Sequence, residues 1–322
     1  MGMIKQNRAA ESLRSLLAIS GVCACLLFFL SAGGLAASAF DNLSTLSYAD
    51  APAVPSPSAP EPLPGPLRAP RALNAYFISV GQGDAEYLEL PNGSNVLIDG
   101  GPNPTAPLVK FLTDHNITHI GHVVLTHPHL DHYSGLGYVF SHLQVDNFYD
   151  TREDNAGAAG AKALREKIAA LGVNVVYPAA GDLLNWDPDE VAVKVLNTCS
   201  TPGSSTSGAV LNECSIVLKV TYQDTTILYT GDMQADQEAN LITTYGAELK
   251  ADVLKVAHHG SNTATSTAFL DMVKPKYAYI EVGAGNTFGF PSAVTLNDLQ
   301  AAGVTVFRTD LGGTQEYVIN GR

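Results

Sequence analysis

Thr126-His127-Pro128-His129-Leu130-Asp131-His132 places three imidazoles and one carboxylate within six consecutive positions. The apolar run His122-Val123-Val124-Leu125 precedes it, and such a run predicts a buried strand. The cluster therefore stands where a strand ends and a loop begins. The chain has 9 histidines in 322 residues, so chance rarely gathers three so closely, and a surface histidine cluster is the weaker reading. Histidine and aspartate at this density suit borderline divalent metals, chiefly zinc, with manganese or iron as alternatives. Alternation along extended backbone puts His127 and His129 on one side, with Asp131 and His132 turned away. One segment can thus serve two adjacent metals.

Other apolar runs end in polar groups in the same way: Phe77-Ile78-Ser79-Val80-Gly81-Gln82-Gly83-Asp84, Val96-Leu97-Ile98-Asp99-Gly100-Gly101, Leu228-Tyr229-Thr230-Gly231-Asp232, and Val253-Leu254-Lys255-Val256-Ala257-His258-His259-Gly260-Ser261. With the opening cluster, this series resembles the metallo-β-lactamase superfamily. Within it, the series is most similar to the soluble hydrolase domain of the ComEC competence proteins, which carries VGQGD, GD and HHGS segments in this order. The likeness covers about Ala72 to Arg322.

The resemblance implies an α/β (α+β) chain folded as one αββα sandwich holding two divalent metal ions, zinc first and manganese as the alternative. It maps His127 and His129 onto one ion, Asp131, His132 and His258 onto the other, and Asp232 between both. Asp131, Asp232 and His259 become the catalytic set, with His259 facing substrate or handling a proton. Read alone, Gly231-Asp232 is an ordinary strand-end turn, and only its company makes it a ligand. Gln82 and Asp84 lie in a Gly-flanked turn that brings backbone close to a site. Asp84, and Asp99 likewise, could orient a metal-bound histidine through its free ring nitrogen. Ser261, with its neighbours to Thr263, could meet an anionic oxygen, although loop polarity explains these residues nearly as well. His115, His119, His122 and His142 read as ordinary surface or core histidines.

The chain departs from the family pattern twice. Most relatives give the first metal a third histidine before the bridging aspartate, yet no histidine occurs between His142 and His258. That ligand is then another residue, water or absent; Asn212, at the opening of an expected strand, is the candidate stand-in, and an amide oxygen is a weaker zinc ligand than imidazole. In addition, Phe290 stands where ComEC-like domains usually have histidine. It supplies either an apolar wall beside the site or plain core packing.

The first residues have another purpose. Lys5, Arg8 and Arg14 precede an uncharged stretch from Ser15 to Phe40, and Ala37-Ser38-Ala39 offers a small-x-small cleavage site. Residues 1–39 thus read as a secretory signal peptide, with a retained membrane anchor as the alternative. Residues 40–71 form a proline-rich spacer, unfit for helix or inner strand. Residues 72–322 are the hydrolase domain. Cys199 and Cys214 flank a Ser/Thr/Gly loop and are disulfide candidates in an exported protein.

The net charge of −13 is the wrong sign for a broad nucleic-acid-binding surface. It leaves room for an enzyme that grips short segments by metal. The expected activity is that of a secreted phosphodiesterase or nuclease acting on extracellular nucleic acid, touching membrane only through its N-terminal segment and needing no obligate protein partner. A cell-envelope wall-polymer phosphodiesterase is the rival enzyme, and a metal-binding module without turnover is the rival from another class. The missing histidine disfavours a β-lactamase.

Overall fold

The computed structural model describes residues 71–321. The expected leader and all of the proline spacer except Arg71 lie outside the described residues. Two seven-stranded sheets form the centre. In spatial order the first contains Gln315–Ile319, Leu73–Phe77, Glu86–Glu89, Asn95–Ile98, His119–Val124, Gln144–Tyr149 and Asn174–Val176. The second contains Thr305–Arg308, Tyr277–Ile280, Val253–Lys255, Thr225–Tyr229, Val217–Tyr222, Val191–Asn197 and Leu183–Asp187.

Each sheet joins an antiparallel half to a parallel half. Glu86–Glu89 and Asn95–Ile98 form the expected hairpin around Pro91-Asn92-Gly93. Asn95–Ile98, His119–Val124 and Gln144–Tyr149 then run parallel. In the second sheet the strands from Thr225 through Arg308 are parallel. Parallel strands carry their connections at the same end, and ligands in such sheets lie beyond the carboxyl ends. Asp99, His127, Asp232, His258, His259 and Glu281 all follow or end parallel strands.

Three apolar layers hold this together. Phe77, Val96, Ile98, Tyr149, Val193, Tyr229 and Tyr279 come from both sheets and fill the space between them. Phe77 stacks on Tyr279 with centroids 4.0 Å apart. Helices Ala106–Asp114, Leu136–His142 and Gly160–Leu171 cover the outer face of the first sheet. Ala235–Tyr245, Thr267–Val273 and Ala293–Ala301 cover that of the second. This is the αββα sandwich.

Local differences from expectation have simple causes. Gly172 caps the helix ending at Leu171 with a φ of 72°, and Leu171 itself is exposed because that last turn lies at the surface. Asn212 does not open a strand. It lies in the short helix Gly208–Glu213, whose start is capped by the Ser207 side chain accepting from Val210 N. Asp131 and His132 belong to a single helical turn, Leu130–Tyr133, and not to extended backbone. The strands Gln144–Tyr149, Asn174–Val176 and Leu183–Asp187 and the helices Leu136–His142 and Ala293–Ala301 were not foreseen.

Candidate metal centre

His127 stands three residues past the end of the His119–Val124 strand, and His129 occupies the position before the helical turn Leu130–Tyr133. That turn swings Asp131 and His132 away from His127 and His129, which separates the segment into two donor groups. His127 Nε2 and His129 Nδ1 lie 2.9 Å apart, and these two atoms with Asp232 form one compact group. Asp131, His132 and His259 form a second.

Asp232 stands between them. Its Oδ2 lies 3.8 Å from His127 Nε2, 3.3 Å from His132 Nε2 and 3.5 Å from His259 Nε2. His259 Nε2 is also 3.3 Å from Asp131 Oδ2. The expected pairing of His258 with Asp131 and His132 is therefore not what the fold builds; His259 occupies that place. His258 Nε2 instead lies 3.5 Å from the Asn212 side-chain nitrogen and 3.9 Å from Asp232 Oδ2. The exchange follows from backbone shape. His258 and His259 have φ of 49° and 53°, conformations costly for residues with a Cβ and kept only where surroundings enforce them. Here Thr263 Oγ1 lies 3.1 Å from His258 Nδ1, while His259 Nδ1 is 2.9 Å from the Glu281 carbonyl. Two consecutive side chains thereby reach one site from different directions.

Around these groups lies a supporting layer. Asp99 Oδ2 accepts from Thr126 Oγ1 at 2.6 Å and from His132 Nδ1 at 2.7 Å, and Oδ1 accepts from Thr126 N. Asp84 Oδ1 is 3.0 Å from His259 Nδ1, and Oδ2 accepts from Lys255 Nζ at 2.5 Å. Gly83, with a φ of 151°, lets this turn press against the Asp131 carbonyl, where a Cβ would collide. The Gln82 side chain is tied to a neighbouring loop, its Oε1 accepting from Gly283 N at 3.2 Å. The Ser261 hydroxyl is committed to Thr263 and the turn.

Lys255 escaped the sequence reading. It is fully buried, at 0% exposure, and sits near Asp84, Glu86 and Glu281. Its signal was a lysine inside an otherwise apolar strand. Burial lowers a lysine pKa, but these carboxylates outweigh it and hold Lys255 protonated. Burial and then the Asp84 charge push Glu281 up to about 8. Burial and then Glu281 push Glu86 well above the usual carboxylate range, so protons remain on this pair.

The electrostatics of the donor atoms fit a cation. Burial lowers the His127 pKa well below normal, leaving neutral nitrogen lone pairs facing one another. Burial also disfavours charge on His132 and His259, yet Asp232 leads a set of carboxylates that raises both well above 6.5. His132 Nε2, His259 Nε2, Asp232 Oδ1 and Asn212 Oδ1 are buried with no hydrogen-bond partner among the described residues. Buried polar atoms are ordinarily satisfied, so their convergence marks a place for divalent ions, and nitrogen and carboxylate donors suit them. Outside this centre, His115, His119 and His142 serve local contacts, and His122 is lowered to about 4 by burial.

Cys199 and Cys214 are joined as a disulfide. The bond anchors the chain two residues beyond Asn212. Among the described residues, no helix is long and apolar enough to cross a membrane.

Known proteins are similar to this chain. ComE operon protein 3 of Bacillus subtilis is 28% identical over 259 residues, covering 75% of this chain and 32% of that protein. Competence protein ComA of Neisseria gonorrhoeae is 38% identical over 106 residues, covering 33% of this chain and 15% of that protein. The chain therefore spans about a third or less of the length of these relatives. The crystal structure of CmlA, a diiron β-hydroxylase from Streptomyces venezuelae, has a TM-score of 0.50 at 12% identity, covering 79% of this chain and 55% of that one; this likeness shows the fold alone. The family model of the metallo-β-lactamase superfamily matches residues 78–283, which contain every donor atom described above, and the chain is a member of that superfamily of metal-dependent hydrolases.

Proposed function

We propose that this hydrolase is a phosphodiesterase working through two divalent ions, with extracellular nucleic acid as its substrate. The observation that carries the proposal is the position of Asp232, whose Oδ2 lies 3.3 Å from His132 Nε2 and 3.8 Å from His127 Nε2, between the two donor groups. His127, His129 and Asp232 would hold one ion, and Asp131, His132, His259 and Asp232 the other. His258, beside Asn212 and 3.9 Å from Asp232 Oδ2, would supply the first ion's third imidazole in place of the histidine that the sequence lacks.

Two divalent ions supply Lewis-acid charge for a phosphoryl group and lower the pKa of the attacking water. The protein's own groups set up that chemistry. Asp99 and Thr126 fix the His132 ring, and Asp84 with the Glu281 carbonyl fixes His259. Asp131, with its side chain 34% exposed, stands on the open side and can accept a hydrogen bond from an incoming water. Thr263 holds the other nitrogen of His258. Such fixed rings need no reorganisation during reaction.

Competence among the named relatives supports a nucleic-acid substrate, and the basic, apolar N-terminal segment supports export. The charge of −13 favours short segments over a long polyanion. Purified protein with zinc or manganese should hydrolyse bis-p-nitrophenyl phosphate and DNA or RNA while sparing nitrocefin, and Asp232→Ala should abolish turnover. Inertness toward every phosphodiester with two ions bound would overturn the proposal in favour of a module without turnover.

A further inference from the structure

We infer that Phe288 and Phe290 form a stacking platform that holds a nucleobase next to the scissile phosphodiester; this rests on the phosphodiesterase reading above. The Phe290 ring meets the His258 ring edge-on, with centroids 5.6 Å apart and planes at 65°. Phe288 continues outward from it, nearly parallel at 19° with centroids 5.7 Å apart. Phe288 is 65% exposed, an unusual place for a large apolar ring beside a polar centre.

The loop that presents these rings is built, not loose. The Asn286 side chain accepts from Phe288 N and Phe290 N, each at 3.1 Å, and donates to the carbonyls of Gly283 and Phe290 at 3.0 and 2.7 Å. Pro291 packs against Gly260, whose φ of 82° and lack of a Cβ permit the contact. The same loop is tied to the Gln82 turn through Gly283 N. The rings are thus fixed relative to the imidazoles.

A flat, exposed ring in a fixed orientation suits a flat ligand. A flexible acyl chain holds no single plane against the ring, whereas a nucleobase is itself planar and can overlap its whole open face. A base stacks by its π face whatever its identity, and such stacking changes affinity roughly five- to a hundred-fold. This also supplies affinity without a cationic surface, as an acidic chain requires.

The test compares full-length wild type, Phe288→Ala and Phe288→Trp loaded with zinc. Two substrates share a leaving group: thymidine 5′-(p-nitrophenyl phosphate) and methyl p-nitrophenyl phosphate. Wild type should favour the thymidine ester in kcat/KM by about ten-fold or more, mostly through KM. Phe288→Ala should lose that preference and Phe288→Trp retain it. A calorimetric arm needs no turnover: wild type should bind thymidine 5′-monophosphate about ten-fold more tightly than deoxyribose 5-phosphate, and Phe288→Ala should bind the two alike. Hydrolysis of both esters without discrimination, or a preference unchanged in Phe288→Ala, would overturn the platform while sparing the phosphodiesterase reading. Selective nucleotide binding that depends on Phe288, without hydrolysis of either ester, would sustain the platform and sink that reading.

Discussion

Nδ1 of His259 lies 3.0 Å from Oδ1 of Asp84, and this contact helps aim the opposite ring nitrogen at Asp131 and Asp232. Asp84 in turn receives the Lys255 ammonium at 2.5 Å. Both Asp84 and Lys255 are buried, so neither charge has water to fall back on.

Lys255→Met keeps the volume and removes the charge. Breaking one side of a buried ion pair typically costs about 3–5 kcal/mol, because the Asp84 carboxylate would stay buried without the ammonium that faces it. Urea unfolding of the metal-free variant should show a loss of that order. A loss under about 1 kcal/mol would mean the buried pair is not needed.

The two donor groups make separable predictions about metal content. His132→Ala/His259→Ala removes two donors from the same ion, so about one equivalent should remain bound. His127→Ala/His132→Ala damages both groups and should leave almost none. His258→Ala should weaken the ion held by His127 and not the one held by His132. Equal metal content in the two double variants would refute the division, as read by elemental analysis after gel filtration.

Much of this centre was legible because short motifs encode it. His127-x-His129-x-Asp131-His132 announced two donor groups, and the apolar strand Thr225–Tyr229 placed Asp232 at a sheet end. The αββα sandwich was implied by the family resemblance that these same motifs carry. The roles within His258-His259 were hidden, because left-handed φ at both residues is a tertiary outcome that no local pattern announces. The strand Asn174–Val176 was missed for want of length, and Asn212 was placed in a strand because Ser207 was not recognised as a helix cap. Lys255 was passed over because an apolar strand was read by its majority.

Protonation of the metal-free centre sets a pH dependence. Carboxylates led by Asp232 overcome burial and raise His132 and His259 above 6.5. Their stabilising contribution is complete below 6.5 and is lost as pH rises through the raised values. Glu281, raised to about 8, adds a loss in the same direction. Asp232, held below 3.8 by His259 and His132 despite its burial, contributes above that value and loses its contribution as pH falls further. The metal-free protein should therefore have its highest Tm at about pH 4 to 5, where the Glu281 loss begins, and melt lower as the histidine losses join it and pH rises toward 9. Zinc must displace those protons, so its stabilising effect should grow over the same range. A metal-free Tm that climbs steadily from pH 6.5 to 9 would contradict this.

The Cys199–Cys214 disulfide closes a loop with a sequence separation of 15, worth about 3 kcal/mol in the chain-entropy model. Cys199→Ser/Cys214→Ser should lose stability of that size in chemical denaturation. Because Cys214 closely follows Asn212 and the helix Gly208–Glu213, the double variant should also bind its first ion less tightly. Unchanged stability would show that the bond constrains nothing that the fold does not already hold.

The central claim is that Asp232 unites two donor groups into one catalytic unit. Chelated protein titrated with manganese, with bis-p-nitrophenyl phosphate hydrolysis recorded at each addition, tests it directly. Little activity is expected through the first equivalent, a rise that follows the second, and none at any loading of Asp232→Ala. Full activity at one equivalent, or wild-type turnover by Asp232→Ala, would contradict it.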